Sequence, residues 1–377
     1  MRIAAFYFVS TFLAAGAANG AQMTTQMEPV AACMARAANE LHFNGIVYAR
    51  HGDGVAERVF GKADAAGKEP ISTRTTFSIA SASKMFTAVA IGRLVDRGAV
   101  AFDAPISRYL PGLKAEFANI TVAQLLNHTS GLGDYFNPSN KSAIDAATTA
   151  TDLLPLALAS APAFAPGSRR AYSNSGFVVL GAIIEKVSGL TYAQFAQKEI
   201  LDPLAMADTH LDAQGSAEPM TRMSPGGMLE QPMLSPLRQI RASPAGGAVT
   251  TAADISLFLG ALSKGSLLSS ATTKELLVAR PDPSGQPGIY GYGFNVGLTS
   301  PLRVGHGGGA PGVNAEIALY PESGWQLIAL SNNDPPVATR MVTVLEKAVF
   351  SRDTEAACDS ALADPALRAP MPGVRLR

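Results

Sequence analysis

The apolar positions of this chain change their rhythm several times. Behind Arg2, Ile3 to Leu13 is apolar almost without a break, and the small residues Ala18-Asn19-Gly20-Ala21 follow. That is the layout of a secretory signal peptide over residues 1–21, too short and wrongly flanked for a spanning helix. Pro29 to Leu41 then repeats apolar residues at helical spacing. "GIVYARHGDGVAERVFGKAD" (45–64) predicts two strands about a His-Gly-Asp-Gly turn. Ser78 to Val95 becomes apolar on every side, which predicts a buried helix. Ile120 to Leu132 predicts a short helix running into a polar, glycine-bearing loop. Thr149 to Ala159 and Phe177 to Val187 again carry helical spacing. Residues 202–240 hold Pro, Met and Gly without a period and predict a long surface loop.

The rhythm shifts again near Ala242. "SPAGGAVTTAADISLFLGAL" predicts a turn and then a helix capped near Thr250 or Thr251. "GYGFNVGL", "RVGHGG", "VNAEIALYPE" and "QLIALSNN" are strand-like, with Glu322-Ser323-Gly324 as a turn. Val337 to Phe350 predicts a last amphipathic helix. Strands at both ends with helices between them predict an α+β fold whose one sheet is built by both chain ends. The expected division is a sheet domain from 22–75 and 242–360, a helical subdomain at 76–241, and a flexible tail at 361–377.

Composition narrows the classes. Hydrophobic residues make up 47% and charged ones 16%, as in a globular chain. The 30 Lys and Arg balance 30 Asp and Glu, with no charge run, so nucleic-acid binding has no electrostatic footprint. No later segment reaches about 18 uninterrupted apolar residues, so no membrane span is expected in the mature chain, and a periplasmic or secreted location is. Cys33 and Cys358 form no zinc-like pattern, and no metal or cofactor is expected. In an oxidising compartment the two can pair; two separate buried thiols are the equal alternative.

The chemistry begins at Ser81 and Lys84. Residues three apart on a helix share a face. A serine hydroxyl needs a base to become a nucleophile, and a desolvated lysine can serve. An SxxK pattern arises by chance about once or twice in such a chain, so further elements are needed. Two Tyr-x-Asn tripeptides are present, Tyr135–Asn137 in a loop and Tyr172–Asn174 directly before a helix. Tyr172 is the preferred proton carrier, because a helix start positions a hydroxyl more rigidly than a loop. The third element is "VGHGGGAPG" (304–312), where glycines after a strand expose backbone N–H groups and His306 is expected to project toward a cleft. It formally fits GxGxxG, but a strand-like segment follows it and Pro311 interrupts it, against dinucleotide binding. No GxSxG occurs, against a nucleophile elbow.

Taken in order, "FSIASASKMFTA", "LLNHTSGL", "FAPGSRRAYSNSGFVVLGAIIE", "SPAGGAVTTAADISLF" and "GHGGGAPGVNAEIALYPE" resemble the class C β-lactamase and DD-peptidase-like serine hydrolases, which include D-amino-acid peptidases and bacterial esterases. The resemblance covers roughly residues 30 to 350. It implies an α/β sandwich with an antiparallel sheet and an inserted all-helical subdomain. It implies Ser81 as nucleophile, Lys84 as its base, Tyr172 as shared acid/base and Asn174 as a substrate-amide contact. His306 takes the place of the lysine in a Lys-Thr-Gly motif, beside Gly307, Gly308 and Gly309. The oxyanion hole implied is the N–H groups of Ser81 and Gly309. Asn127 and His128 of the "LLNHTSGL" loop are read as structural. His306 for lysine and Gly307 for a hydroxyl residue weaken the grip on a substrate carboxylate. The expected activity is therefore hydrolysis of a peptide, amide or ester through an acyl-enzyme, with a small-molecule or peptide substrate. A class C-like β-lactamase is the nearest alternative and an inactive cell-wall binding protein the second, the latter opposed by the joint presence of Ser81, Lys84, Tyr172 and His306.

Overall fold

The computed structural model describes residues 27–224, 227–234, 243–298 and 300–368. The expected signal peptide lies outside the described residues.

Alternation of period two decides the frame. Eight strands make one sheet: β1 (Gly45–His51), β2 (Gly54–Phe60), β3 (Arg280–Pro281), β4 (Ile289–Tyr290), β5 (Asn295–Val296), β6 (Val304–Ala310), β7 (Val313–Tyr320) and β8 (Trp325–Ser331). Their order in space is β2-β1-β8-β7-β6-β5-β4-β3, antiparallel throughout. The first hairpin therefore sits against the last strand, with Gly45 opposite Ser331 and His51 opposite Trp325. Successive side chains of a strand point to opposite faces. Ile46, Tyr48, Ile317, Leu319, Ile328 and Leu330 accordingly enter one core. Val47, Ala49, Ala318, Tyr320, Leu327 and Ala329 enter another.

Each face is covered by helices. These include α1 (Glu28–Glu40), α2 (Lys84–Asp96), α3 (Val122–Leu126), α4 (Ala150–Ala157), α5 (Asn174–Ser188), α6 (Ala252–Ser263), α7 (Ser270–Leu277), α8 (Val337–Val349) and α9 (Thr354–Ala363), beside further short helical segments. Apolar residues of α2 to α7 share the first core, and those of α1, α8 and α9 share the second. Thr251 caps α6, its hydroxyl accepting from the Asp254 N–H. Among the described residues no single helix is long and apolar enough to cross a membrane.

Four expectations are corrected. The helix expected from Ser78 is broken at its start: Phe77–Ser78 pairs with Val249–Thr250 as a small ribbon, and a 3₁₀ turn, Ala80–Ser83, leads into α2. The loop expected over 202–240 contains the ribbon Met220–Ser224 with Gly227–Leu234. The helix at Val337–Val349 is not the last. Cys358 lies within α9 and is bonded to Cys33 of α1. Finally, the loose tail expected from 361 is helical over most of 361–368: Ala361 and Leu362 are buried in the second core, and Pro365–Arg368 adds a turn. Positions 369–377 lie outside the described residues.

Candidate active site

The site forms where the 3₁₀ turn, the start of α5 and the free edge of β6 meet. Strand β5 pairs with β6 only at Val304 and Gly305, so residues 306–310 face the turn Ala80–Ser83 instead. The approach is close because Gly308 has no side chain. A Cβ there would lie 1.9 Å from the Ile79 carbonyl oxygen. Ala80, directly before Ser81, holds φ at +43°, a left-handed conformation that non-glycine residues adopt only under constraint.

Lys84 opens α2 and is fully buried. Its Nζ donates to three oxygens: Ser81 Oγ at 3.3 Å, Asn174 Oδ1 at 2.8 Å and the Ala245 carbonyl at 2.6 Å. Burial brings this ammonium down to about 7, against a smaller opposing pull from the Asp134 carboxylate. From the other side the Tyr172 hydroxyl donates to Ser81 Oγ at 2.7 Å. Tyr172 stands directly before Ser173, the cap of α5, whose Oγ accepts the Gly176 N–H at 3.0 Å. The residue is 50% exposed, yet its hydroxyl end is turned into the crowded part of the site, and burial there raises the phenol pKa. The phenol therefore stays protonated at neutral pH, and the amine that can lose its proton there is Lys84. Tyr135, the other candidate, is buried with its hydroxyl 2.7 Å from Ser243 Oγ rather than on Ser81.

Asn174 is anchored at both ends of its amide. Oδ1 accepts from Lys84, and Nδ2 donates to Asp134 Oδ2 at 2.8 Å. In this arrangement it orients the lysine, and its amide is already engaged before any substrate amide arrives.

His306 is brought to the wall of the site, but the expectation that it projects into a cleft is corrected. It is 4% exposed. Its Nδ1 lies 2.5 Å from the Gly307 carbonyl, which can only accept, so Nδ1 carries a proton. Burial, with a further push from Lys84, lowers this histidine to about 3, so the ring is neutral. Nε2 then accepts from the Tyr290 hydroxyl at 2.7 Å. Both ring nitrogens are thereby used within the protein.

The three glycines differ. Gly308 is buried against the turn, with its carbonyl accepting from Asn314 Nδ2 at 2.9 Å. Gly309 is exposed and Gly307 half-buried. Gly307 stands opposite Glu316 in the register, and a Cβ on it would lie 2.8 Å from Glu316 Oε2. That carboxylate is held by the Arg303 guanidinium and, at 2.9 Å, by the Thr339 hydroxyl. The space a hydroxyl side chain would use at 307 is thus occupied.

Sequence reasoning missed Tyr290, Asp134 and Arg170. The Arg170 side chain donates to the carbonyls of Asn127 (3.1 Å), Gly288 (3.1 Å) and Arg280 (2.6 Å), tying the loops around the site together. A charged residue in "SRRAYSN", beside the tyrosine motif, was the available signal.

A family model described as Beta-lactamase matches residues 30–348. Penicillin-binding protein 4* of Bacillus subtilis is 31% identical over 319 residues, 78% of this chain and 68% of that protein. Esterase EstB of Burkholderia gladioli is 37% identical over 177 residues, 43% of this chain and 45% of that esterase. Among solved structures, a D-stereospecific amidohydrolase from Streptomyces sp. superposes with a TM-score of 0.71 at 26% identity, covering 85% of this chain and 99% of that one.

Proposed function

Since the chain belongs to the beta-lactamase family, whose members include serine hydrolases, we propose that it cleaves an ester or an amide or peptide bond through an acyl-enzyme on Ser81. The observation that carries this reading is the position of Ser81 Oγ between two proton carriers of unlike character, Lys84 Nζ at 3.3 Å and the Tyr172 hydroxyl at 2.7 Å. In acylation Oγ attacks the carbonyl carbon and its proton passes to the neutral Lys84 amine. Tyr172 delivers a proton to the leaving amine or alkoxide as the acyl–heteroatom bond breaks, and the Lys84 ammonium replaces it. Water then reverses the sequence and releases the acid. The N–H groups of Ser81 and Gly309, on the turn and on the strand packed against it, are the proposed donors to the oxyanion.

The substrate class follows from what the wall lacks. A neutral His306 with both nitrogens engaged offers no cation, and Gly307 offers no hydroxyl. Esters and amides without a free carboxylate beside the scissile bond are the preferred substrates, ahead of β-lactams. The names of the esterase and the amidohydrolase above support this choice. A panel of p-nitrophenyl esters, D-amino-acid amides, D-Ala-D-Ala peptides and a chromogenic cephalosporin tests it, with fluorophosphonate labelling of the wild type and of Ser81→Ala. Labelling that survives Ser81→Ala ends the assignment of the nucleophile. A cephalosporin turned over faster than every ester and amide replaces the hydrolase reading with β-lactamase.

The same reading includes export to the periplasm or beyond. The Arg2-led apolar run of residues 1–21 supports it, as does a Cys33–Cys358 bond, which persists in oxidising compartments. The mass and N-terminal sequence of the protein recovered from its host decide it: an intact Met1 in the cytoplasmic fraction overturns export.

A further inference from the structure

His128 lies just beyond α3 in "LLNHTSGL", 1% exposed, with φ at +63°. The proposed function gives it no part, yet it touches all three residues of Ala171-Tyr172-Ser173. Its carbonyl accepts the Ala171 N–H at 3.0 Å. Its Nδ1 accepts the Ser173 N–H at 3.2 Å. Between these two bonds its ring lies against Tyr172, with centroids 4.3 Å apart and planes at 35°. On its other sides the ring meets Tyr290 at 4.7 Å and Phe177 at 5.3 Å.

Two features of this residue are unfavourable by themselves. A histidine in the left-handed region is uncommon. With Nδ1 accepting, the proton of the neutral ring sits on Nε2, and Nε2 is buried without a hydrogen-bond partner among the described residues. Burial first, and then the nearby Lys84 and Arg170 cations, lower this histidine well below its ordinary value, in keeping with a neutral ring. What the arrangement secures is the attitude of one side chain. Half of Tyr172 is open to solvent, and among the described residues its hydroxyl makes one hydrogen bond, to Ser81, while Lys84 Nζ lies 4.8 Å from the ring centroid. A phenol so placed swings outward unless its ring is backed.

We propose that His128 is a positioning residue for Tyr172: it clamps the backbone on both sides of the tyrosine and backs its ring, so that the phenol stays on Ser81 Oγ. The inference rests on the proposed role of Tyr172 as proton carrier. Because Tyr290 also bonds His306, the His128 ring carries the same alignment across to the sheet side of the site.

The test is a double-mutant cycle of His128→Asn and Tyr172→Phe, read as kcat and KM on the best ester or amide of the panel. Asparagine tolerates the left-handed backbone and keeps an acceptor for the Ser173 N–H, so it removes chiefly the ring. Misplacing a reacting group by about 1 Å costs up to about a hundredfold. His128→Asn is therefore expected to lower kcat by roughly ten- to a hundredfold with KM nearly unchanged. In the Tyr172→Phe background the same substitution is expected to cost less than about twofold, since coupled residues are non-additive. Equal fold-losses in both backgrounds, or no loss in the wild type, overturn the inference. Tyr172→Phe at wild-type activity overturns instead the proposed role of the tyrosine. Should His128→Asn not fold, His128→Gly, which also tolerates the left-handed backbone, runs the same cycle. A 3-fluorotyrosine resonance at position 172 reads the ring directly: it is expected to move when His128 is replaced, and an unmoved signal overturns the stacking argument.

Discussion

A Cβ placed on Gly308 would come within 1.9 Å of the carbonyl oxygen of Ile79, two residues before the nucleophile. The contact is backbone against backbone, so neither side can rotate away. Gly308→Ala is expected to force β6 off the 3₁₀ turn, at about 1–3 kcal/mol in stability, as for other overpacked sites. Activity should fall further than stability, because the Ser81 and Gly309 amides lie on the two parts driven apart. A thermal melt with steady-state kinetics checks this; an alanine variant of unchanged kcat would show that the close approach is dispensable.

The pH dependence follows from Lys84, brought down to about 7 by burial. Below that value the lysine is protonated and cannot accept the Ser81 proton. The profile of kcat/KM, which reports the free enzyme, should therefore rise with pH, with a midpoint near 7, and fall about tenfold per unit on the acid side. His306, lowered to about 3, is neutral across this range and contributes nothing to that limb. His306→Asn should lower activity and leave the midpoint in place. A midpoint that moves or vanishes in this variant would assign the limb to the histidine. Lys84→Ala should remove most activity at every pH.

Gly307 bears on β-lactam hydrolysis. Adding a hydroxyl there looks like a way to restore a carboxylate grip, but a Cβ meets Glu316 Oε2 at 2.8 Å, and that oxygen is held by Thr339. Gly307→Thr is expected to depress ester and cephalosporin turnover together, with a stability loss of about 1–3 kcal/mol. A rise in the cephalosporin-to-ester ratio would refute the steric account.

Cys33 and Cys358 close a loop with a sequence separation of 325. In the chain-entropy model a loop of that length stabilises by about 6 kcal/mol. Cys358→Ser, or reduction, should lower the denaturant midpoint and leave the acylation of Ser81 intact, since the bridge lies in the core remote from that turn. Equal midpoints with and without reductant would mean that the bond contributes nothing.

The helical period makes Ser81 and Lys84 legible, because a lysine entering an apolar helix needs partners. The Tyr172 motif stands out because a helix begins directly behind it. Tyr290 was not legible: its strand, Ile289–Tyr290, is too short for an alternation to show, and "GYGFN" beside it drew the strand reading away. Helix α9 was missed because only Cys358, Ala361 and Leu362 of its ten residues are buried, which leaves almost no apolar stripe. Among the described residues the ribbon at 220–234 forms a two-stranded sheet of its own, so no neighbouring strand imposes a register on it. The state of His306 depends on Tyr290 and on burial, neither of which spacing reveals.

The pairing of β1 with β8 also dictates when this protein can fold. Gly45, already opposite Phe60 in the hairpin, finds its partner on the other side only at Ser331. A growing chain therefore holds an orphan hairpin while all the intervening helices are made. No N-terminal fragment that stops short of Trp325 can complete the sheet, and both cores wait for the same late strands. Contacts so distant in sequence fold slowly, since the loop must close before they are formed. The sheet of the nascent chain thus stays incomplete until β8 has been made.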